Sequence, residues 1–385
     1  MSKTLAFQHA ILAALLLVAC GGDEKVQFTR VVTFGASVAD AGAYKVGTIA
    51  DLGGGKYTVN GPQGLTWTER LAQIVNVPAE CAAQTGLLPN ISGVTGAPVQ
   101  NFDNCFNYAQ GSSRVSSSGT GPSGVALQQA FGELNVGVMA VSLREQINNH
   151  LTKVGGSFGF SDLVIVEGGG GNDGFMQLTA LGRAAGGGPA AVATGRVAGW
   201  PQSTLDVVAL GGPAAVDAAR AAAVATMAQV GSDLAGYIKT MVVDNGARYV
   251  LVRNLPSPNL SPLGRSFDAA TQALRATMNQ TYNAALKSGL SDAAGALPPG
   301  IILFDDYALS ESVAADPGKY GYSNIMSPSC GPNAFGGNAI LCNAGNLVPG
   351  DTSTYAYADG VHPSPYAHQK AAEFAMQLMV EAGWQ

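Results

Sequence analysis

Two stretches of this 385-residue chain together hold the groups that acyl transfer to a serine requires. The first is Thr33-Phe34-Gly35-Ala36-Ser37-Val38-Ala39-Asp40, in which a serine directly follows an apolar run and is flanked by small residues. A strand that turns sharply at such a point lifts the Ser37 hydroxyl above a sheet edge and leaves its backbone N–H free to meet an oxyanion. A serine in the same place could equally cap a following helix. The second is Tyr357-Ala358-Asp359-Gly360-Val361-His362-Pro363. A serine hydroxyl is a poor nucleophile at neutral pH and needs a base, which His362 supplies. Asp359, three residues earlier across a glycine, can fix the imidazole tautomer and stabilise the imidazolium. The other histidines beyond the N-terminal apolar stretch read differently. His150 follows the polar run Arg144-Glu145-Gln146-Ile147-Asn148-Asn149 and reads as a solvated surface residue, and His368 reads as structural.

Oxyanion donors come from two further stretches. Glu167-Gly168-Gly169-Gly170-Gly171-Asn172-Asp173-Gly174 follows an apolar run, and Gly169, Gly171 and Gly174 match the spacing of a dinucleotide fingerprint. No acidic residue closes a second strand ~20 residues on, so that match is read as accidental. Asn172 instead offers an amide at the sheet edge, a contact worth about 3–4 kcal/mol to an oxyanion transition state. In Asn107-Tyr108-Ala109-Gln110-Gly111-Ser112-Ser113, the N–H of Gly111 could approach the same anion, or Gly111 could be an ordinary turn glycine.

Elements must hold these groups together. Val31–Phe34, Leu163–Val166, Tyr249–Val252 and Ile301–Phe304 read as buried strands. Helical patterns cover Trp67–Val75, Leu143–Leu151, Ala214–Asp244, Ala269–Lys287 and Pro365–Glu381. This alternation predicts an α/β fold, a parallel central sheet covered on both faces with its chemistry beyond the carboxyl ends of the strands. Residues 76–125 and 178–212 are read as loop-rich insertions in one domain spanning 29–385, because no charged or proline-rich linker separates two cores.

Composition narrows the function classes. Only 12% of residues are charged and the formal charge is −6, so no basic patch exists to bind nucleic acid. The five cysteines never fall in a CxxC arrangement, so a zinc module is not expected. Residues 1–19 have a short positive start and the apolar stretch Ala10–Val18, the pattern of a signal peptide. Leu17-Val18-Ala19-Cys20 resembles a bacterial lipobox, which makes Cys20 the expected lipidation site, residues 20–28 a tether and a membrane the expected partner through that anchor. An ordinary secretory signal cut nearby is the alternative. Cys81, Cys105, Cys330 and Cys342 then remain, and of their three pairings sequence proximity favours Cys81–Cys105 and Cys330–Cys342.

The order of Ser37, Gly111, Asn172 and Asp359/His362 is similar to the four blocks of the SGNH (GDSL-type) hydrolases, in particular extracellular and autotransporter-type esterases and lipases. Tyr249–Pro262, Ile301–Tyr322 and the Cys330/Cys342 loop resemble the same branch. The resemblance implies a flavodoxin-like three-layer α/β/α sandwich and no metal or organic cofactor. It implies Ser37 as nucleophile, His362 as base and Asp359 as its orienter, with the N–H groups of Ser37 and Gly111 and the Asn172 side chain as oxyanion hole. The implied substrate is a carboxylic ester or lipid. One departure is visible: the family's first block usually reads Gly-Asp-Ser, and Ala36 stands where that aspartate would be. Its carboxylate is not the triad acid, but the hydrogen bonds that brace the nucleophile loop must come from elsewhere. Acyl transfer to an alcohol through the same acyl-enzyme, and a non-catalytic surface-binding descendant, are the alternative readings.

Overall fold

The computed structural model describes residues 25–87, 94–115 and 140–385. The expected signal peptide, Cys20 and most of the tether lie outside the described residues. Among the described residues eight strands are numbered in chain order: β1 Arg30–Phe34, β2 Gln84–Leu87, β3 Ala97–Asn101, β4 Asp162–Glu167, β5 Tyr249–Arg253, β6 Ile301–Phe304, β7 Asn324–Pro328 and β8 Tyr355–Tyr357. The longer helices are α1 Trp67–Ile74, α2 Leu143–Val154, α3 Gly170–Ala184, α4 Gly188–Val197, α5 Gln202–Leu210, α6 Gly212–Tyr237, α7 Ala269–Leu290, α8 Asp306–Ala315 and α9 Pro365–Glu381.

The four apolar runs form one parallel sheet in the order β1-β4-β5-β6, with Val31 opposite Leu163, Leu163 opposite Tyr249 and Val250 opposite Ile301. Successive side chains in a strand point to opposite faces, and both faces here are apolar. Val32, Phe34, Val164, Val166, Val250 and Val252 pack on α2, α6 and α7. Val31, Leu163, Ile165, Leu251, Ile302 and Phe304 pack on α1 and α9 through Trp67, Leu71, Ala372 and Met379. The result is the three-layer α/β/α sandwich expected of a flavodoxin-like fold.

Helix starts are written locally. Thr66 and Glu69 form a reciprocal capping box at α1, and Ser142, Asp268 and Ser364 accept a first-turn N–H at α2, α7 and α9. Two disulfides, Cys81–Cys105 and Cys330–Cys342, join the favoured pairs. Such bonds form and persist in oxidising compartments. The first lies beside the antiparallel pair β2–β3, the second beside the short pair β7–β8. Among the described residues no helix is long and apolar enough to cross a membrane.

Two expectations are corrected. Residues 178–212 are helical rather than loop, running through the end of α3, then α4 and α5. Alanine is the best helix former, and the glycines that suggested a loop sit at the joints. Gly187, Gly199 and Gly211 have φ of 63°, 86° and 71°, a left-handed conformation that glycine adopts without strain. His150 is not a surface residue: it is fully buried among Phe34, Phe106, Tyr108 and Phe158, with Nδ1 3.2 Å from the Tyr108 hydroxyl. Its helix is polar on one side only, and His150 shares the inner face with Leu143 and Ile147. His368 is structural as expected, its Nδ1 accepting the Trp67 N–H at 3.1 Å.

Near the start of the described chain, Val26 donates its N–H to the Trp384 carbonyl at 3.0 Å, and Gln385 Nε2 donates to the Val26 carbonyl at 2.9 Å. Phe28 packs edge-on against Tyr249, which in turn meets Trp384. The last residues of the expected tether are therefore packed against the body of the fold.

Candidate active site

The chain leaves β1 at Phe34 and turns at Gly35-Ala36 into a single 3-10 turn, Ser37–Ala39. Two buried side chains from neighbouring elements hold this turn. Gln146 on α2 accepts the Gly35 N–H through Oε1 and donates Nε2 to the Gly35 carbonyl, each at 2.9 Å. Glu167, the last residue of β4, accepts the Ala36 N–H at 3.0 Å. A Cβ at position 35 would lie 2.9 Å from that carboxylate, so only glycine lets the two strands approach this closely. Burial pushes the Glu167 carboxyl up, opposed by the Ala36 N–H and by Arg253. The backbone at Gly35 and Ala36 is thus braced from β4 and α2.

His362 arrives on the loop between β8 and α9, closed by the Ala358 N–H donating to the His362 carbonyl at 2.8 Å. Its Nε2 is 3.0 Å from Ser37 Oγ, and its Nδ1 is 2.8 Å from Asp359 Oδ2. With the imidazole proton on Nδ1, facing the carboxylate, Nε2 is free to accept the serine proton. Asp359 Oδ1 also accepts the N–H groups of Val361 and His362, at 2.9 and 2.8 Å, and Oδ2 that of Ala339 at 2.8 Å. Burial alone would raise the Asp359 carboxyl, but the charge of His362 and these hydrogen bonds outweigh it and hold the group below the usual carboxylate range. Asp359 therefore stays ionised, as an orienter must. Ala339 lies inside the loop closed by Cys330–Cys342, so the disulfide secures one of the donors to the acid.

The three expected oxyanion donors are differently placed. The Ser37 N–H donates to no acceptor among the described residues. Asn172 sits in the first turn of α3 rather than in a loop, and Nδ2 donates one hydrogen to the Ser113 carbonyl at 2.8 Å, which leaves its second hydrogen for another acceptor. Beside it, buried Asp173 binds Arg114 Nε at 2.8 Å and the Val115 N–H at 2.9 Å, tying α3 to the Gly111 loop. The single N–H of Gly111, however, is already donated to Asp40 Oδ2 at 2.9 Å. Asp40 also accepts the N–H groups of Gly42 and Ala43, and burial raises its carboxyl to about 6 against those bonds.

Sequence reading missed three neighbours of the site: Glu167, Gln146 and Tyr57. The Tyr57 ring lies 4.8 Å from the His362 ring, and a Cβ at position 111 would overlap its phenol, which accounts for the glycine there. Tyr57 Oη is buried without a hydrogen-bond partner. Nothing in the local sequence marks these residues, because they reach the site only through the sheet and loop packing. Among the described residues no group of three His, Cys, Asp or Glu side chains is arranged to hold a metal ion.

Comparison with known proteins adds one partial similarity. No family model matches the chain. A GDSL esterase/lipase of Arabidopsis thaliana is 29% identical to it over 135 residues, which is 34% of this chain. The match spans 37% of the plant protein's own length. This partial similarity supports a hydrolase of the GDSL kind and no finer activity.

Proposed function

We propose that this chain is an exported serine hydrolase that cleaves carboxylic esters through an acyl-enzyme on Ser37. The observation that carries the reading is the continuous relay from Ser37 Oγ through His362 to Asp359, with links of 3.0 and 2.8 Å. Serine Oγ attacks the ester carbonyl carbon as His362 Nε2 takes its proton, and the carbonyl π electrons move onto oxygen. The Ser37 N–H and the free amide hydrogen of Asn172 face that oxyanion in this reading, with Gly111 contributing only if it releases Asp40. The carbon–oxygen bond to the alcohol then breaks, and His362 returns the proton to the departing oxygen. Water repeats the attack on the acyl-enzyme with His362 as base, releasing the acid and restoring the serine hydroxyl. Export is supported by the two disulfides, and the lipobox-like sequence before Cys20 supports a lipid anchor there.

Hydrolysis of p-nitrophenyl butyrate by the purified protein and its Ser37→Ala variant tests the reading. The expected loss of kcat is about 10⁴-fold or more. Equal rates in both proteins would remove Ser37 as nucleophile.

A further inference from the structure

Tyr57 lies on the segment that enters α1, and its chain neighbours tie that segment to the relay. Thr58 donates its hydroxyl to the Pro363 carbonyl at 3.0 Å, one residue past His362. The Asn60 N–H donates to the Cys342 carbonyl at 2.7 Å, at the end of the second disulfide loop. These bonds hold the Tyr57 ring against the His362 imidazole and set its hydroxyl beside Gly111, 2.2 Å from where a Cβ would stand. There the hydroxyl is buried and has no hydrogen-bond partner among the described residues. Buried phenols usually have one, and an exception calls for a reason.

Gly111 supplies the reason. Its N–H is an expected oxyanion donor, yet it is committed to Asp40 Oδ2 at 2.9 Å. The other oxygen, Oδ1, accepts two N–H groups, those of Gly42 and Ala43, at 2.8 and 2.7 Å. A carboxylate anchored through Oδ1 can change its donor at Oδ2 by a small rotation. We propose that the Tyr57 hydroxyl takes over Asp40 Oδ2 when the oxyanion forms and so releases the Gly111 N–H to it. Tyr57 acts through Asp40 and Gly111, which makes it a positioning residue. The inference rests on the ester hydrolase reading above and adds how the third oxyanion donor is supplied.

The other side-chain donors nearby are already engaged. Tyr44 Oη donates to the Gly111 carbonyl at 2.9 Å, and Lys56 Nζ binds Glu69 at 2.6 Å. Tyr57 is close enough to Asp40 to feel its charge. Burial, with the charges of Asp40 and Asp359 adding to it, pushes the phenol well above its ordinary range, so it keeps the proton it donates. The exchange replaces one hydrogen bond to Asp40 with another and moves no proton. Asp40 stays paired throughout, and the oxyanion gains an N–H that the bound ester does not have. A contact made only in the transition state raises kcat and leaves substrate binding as it was.

Tyr57→Phe is the test, because it keeps the ring against His362 and removes only the hydroxyl. With p-nitrophenyl butyrate, kcat should fall about 10²-fold while KM stays within about twofold. The same variant should unfold at the wild-type temperature or above it, since it loses a buried hydroxyl that had no partner. A merely structural role would not lower kcat in a protein of undiminished stability. Butylboronic acid provides a second readout, because its tetrahedral adduct with Ser37 carries negative charge as the oxyanion does. Its inhibition constant should rise at least about tenfold in Tyr57→Phe. An unchanged kcat, an unchanged inhibition constant, or a loss of kcat that goes with a lower unfolding temperature would each overturn the exchange and leave the hydrolase reading standing. A wild type without Ser37-dependent cleavage would overturn both.

Discussion

At the scale of single residues, the Ala36 N–H is braced by a carboxylate from the adjacent strand, that of Glu167. Glu167 contributes an acceptor to one backbone N–H, so its charge matters less than its oxygen. Glu167→Gln keeps an acceptor of the same reach and should retain most of kcat. Glu167→Ala leaves the Ala36 N–H buried and unpaired, a cost of about 1–3 kcal/mol that, if it falls on the nucleophile turn in the transition state, should appear as a drop in kcat of about fivefold or more. Steady-state kinetics on both variants decides the matter, since equal losses in Gln and Ala would mean that the charge itself is required. Asn172→Ala should lower kcat by about 10²-fold with little change in KM, and an unchanged kcat would remove it from the oxyanion role. Ser37, Asp359 and His362 stand out as candidates in the sequence because each sits where a strand ends or a loop enters a helix, and the structure brings the three together. Glu167 and Tyr57 do not, because the contacts that give them meaning cross 131 residues in one case and depend on ring packing in the other.

Elements set how firmly those residues stand. The loop closed by Cys330 and Cys342 sends the Ala339 N–H to Asp359, while the Cys330 N–H donates to the Ala358 carbonyl at 2.9 Å. Replacing both cysteines with alanine should cost about 2–4 kcal/mol of stability and lower kcat more than it raises KM, because the acid loses a donor. Thermal unfolding and kinetics on the same sample check both halves, and a stability loss with kcat unchanged would separate the disulfide from the relay. At this scale the sequence was read well where burial is two-sided. All four central strands fall within one residue of their predicted ends, since uninterrupted Val, Ile and Leu have no other use at that length. It was read poorly at 178–212, where frequent glycine hid three alanine-rich helical stretches and the joints resembled the whole. His150 failed for a related reason: the amphipathic helix was seen as polar because its inner face carries few residues.

For the whole molecule, acid stability should depend on His150. Burial, with the nearby charge of Arg30 adding to it, lowers its imidazole from 6.5 to about 4. Between those values the unfolded chain binds the proton and the folded chain does not, so this contribution to stability is full above about 6.5 and lost as pH falls toward 4. The loss amounts to about 3 kcal/mol. Asp40, raised to about 6, and Glu80, raised to about 7, act with the opposite sign, stabilising the fold toward low pH and losing that contribution as pH rises. The wild-type curve alone therefore mixes these effects. Urea unfolding of wild type and His150→Phe at pH 7 and pH 4 isolates the histidine: the variant should gain relative to wild type on acidification, and parallel curves would refute the assignment.

The hydrogen bonds between Val26 and the last two residues give the molecule a polarity of its own. β1 runs from Arg30 away from that knot toward Ser37, so the knot and the serine lie at opposite ends of the strand. A body held by residues preceding Lys25 would turn its knot toward the support and its cleft outward, toward whatever diffuses past. The same proximity means that residues 25 and 385 could be joined by a few glycines and new ends opened in an exposed loop, such as that around Gly295, without moving the relay.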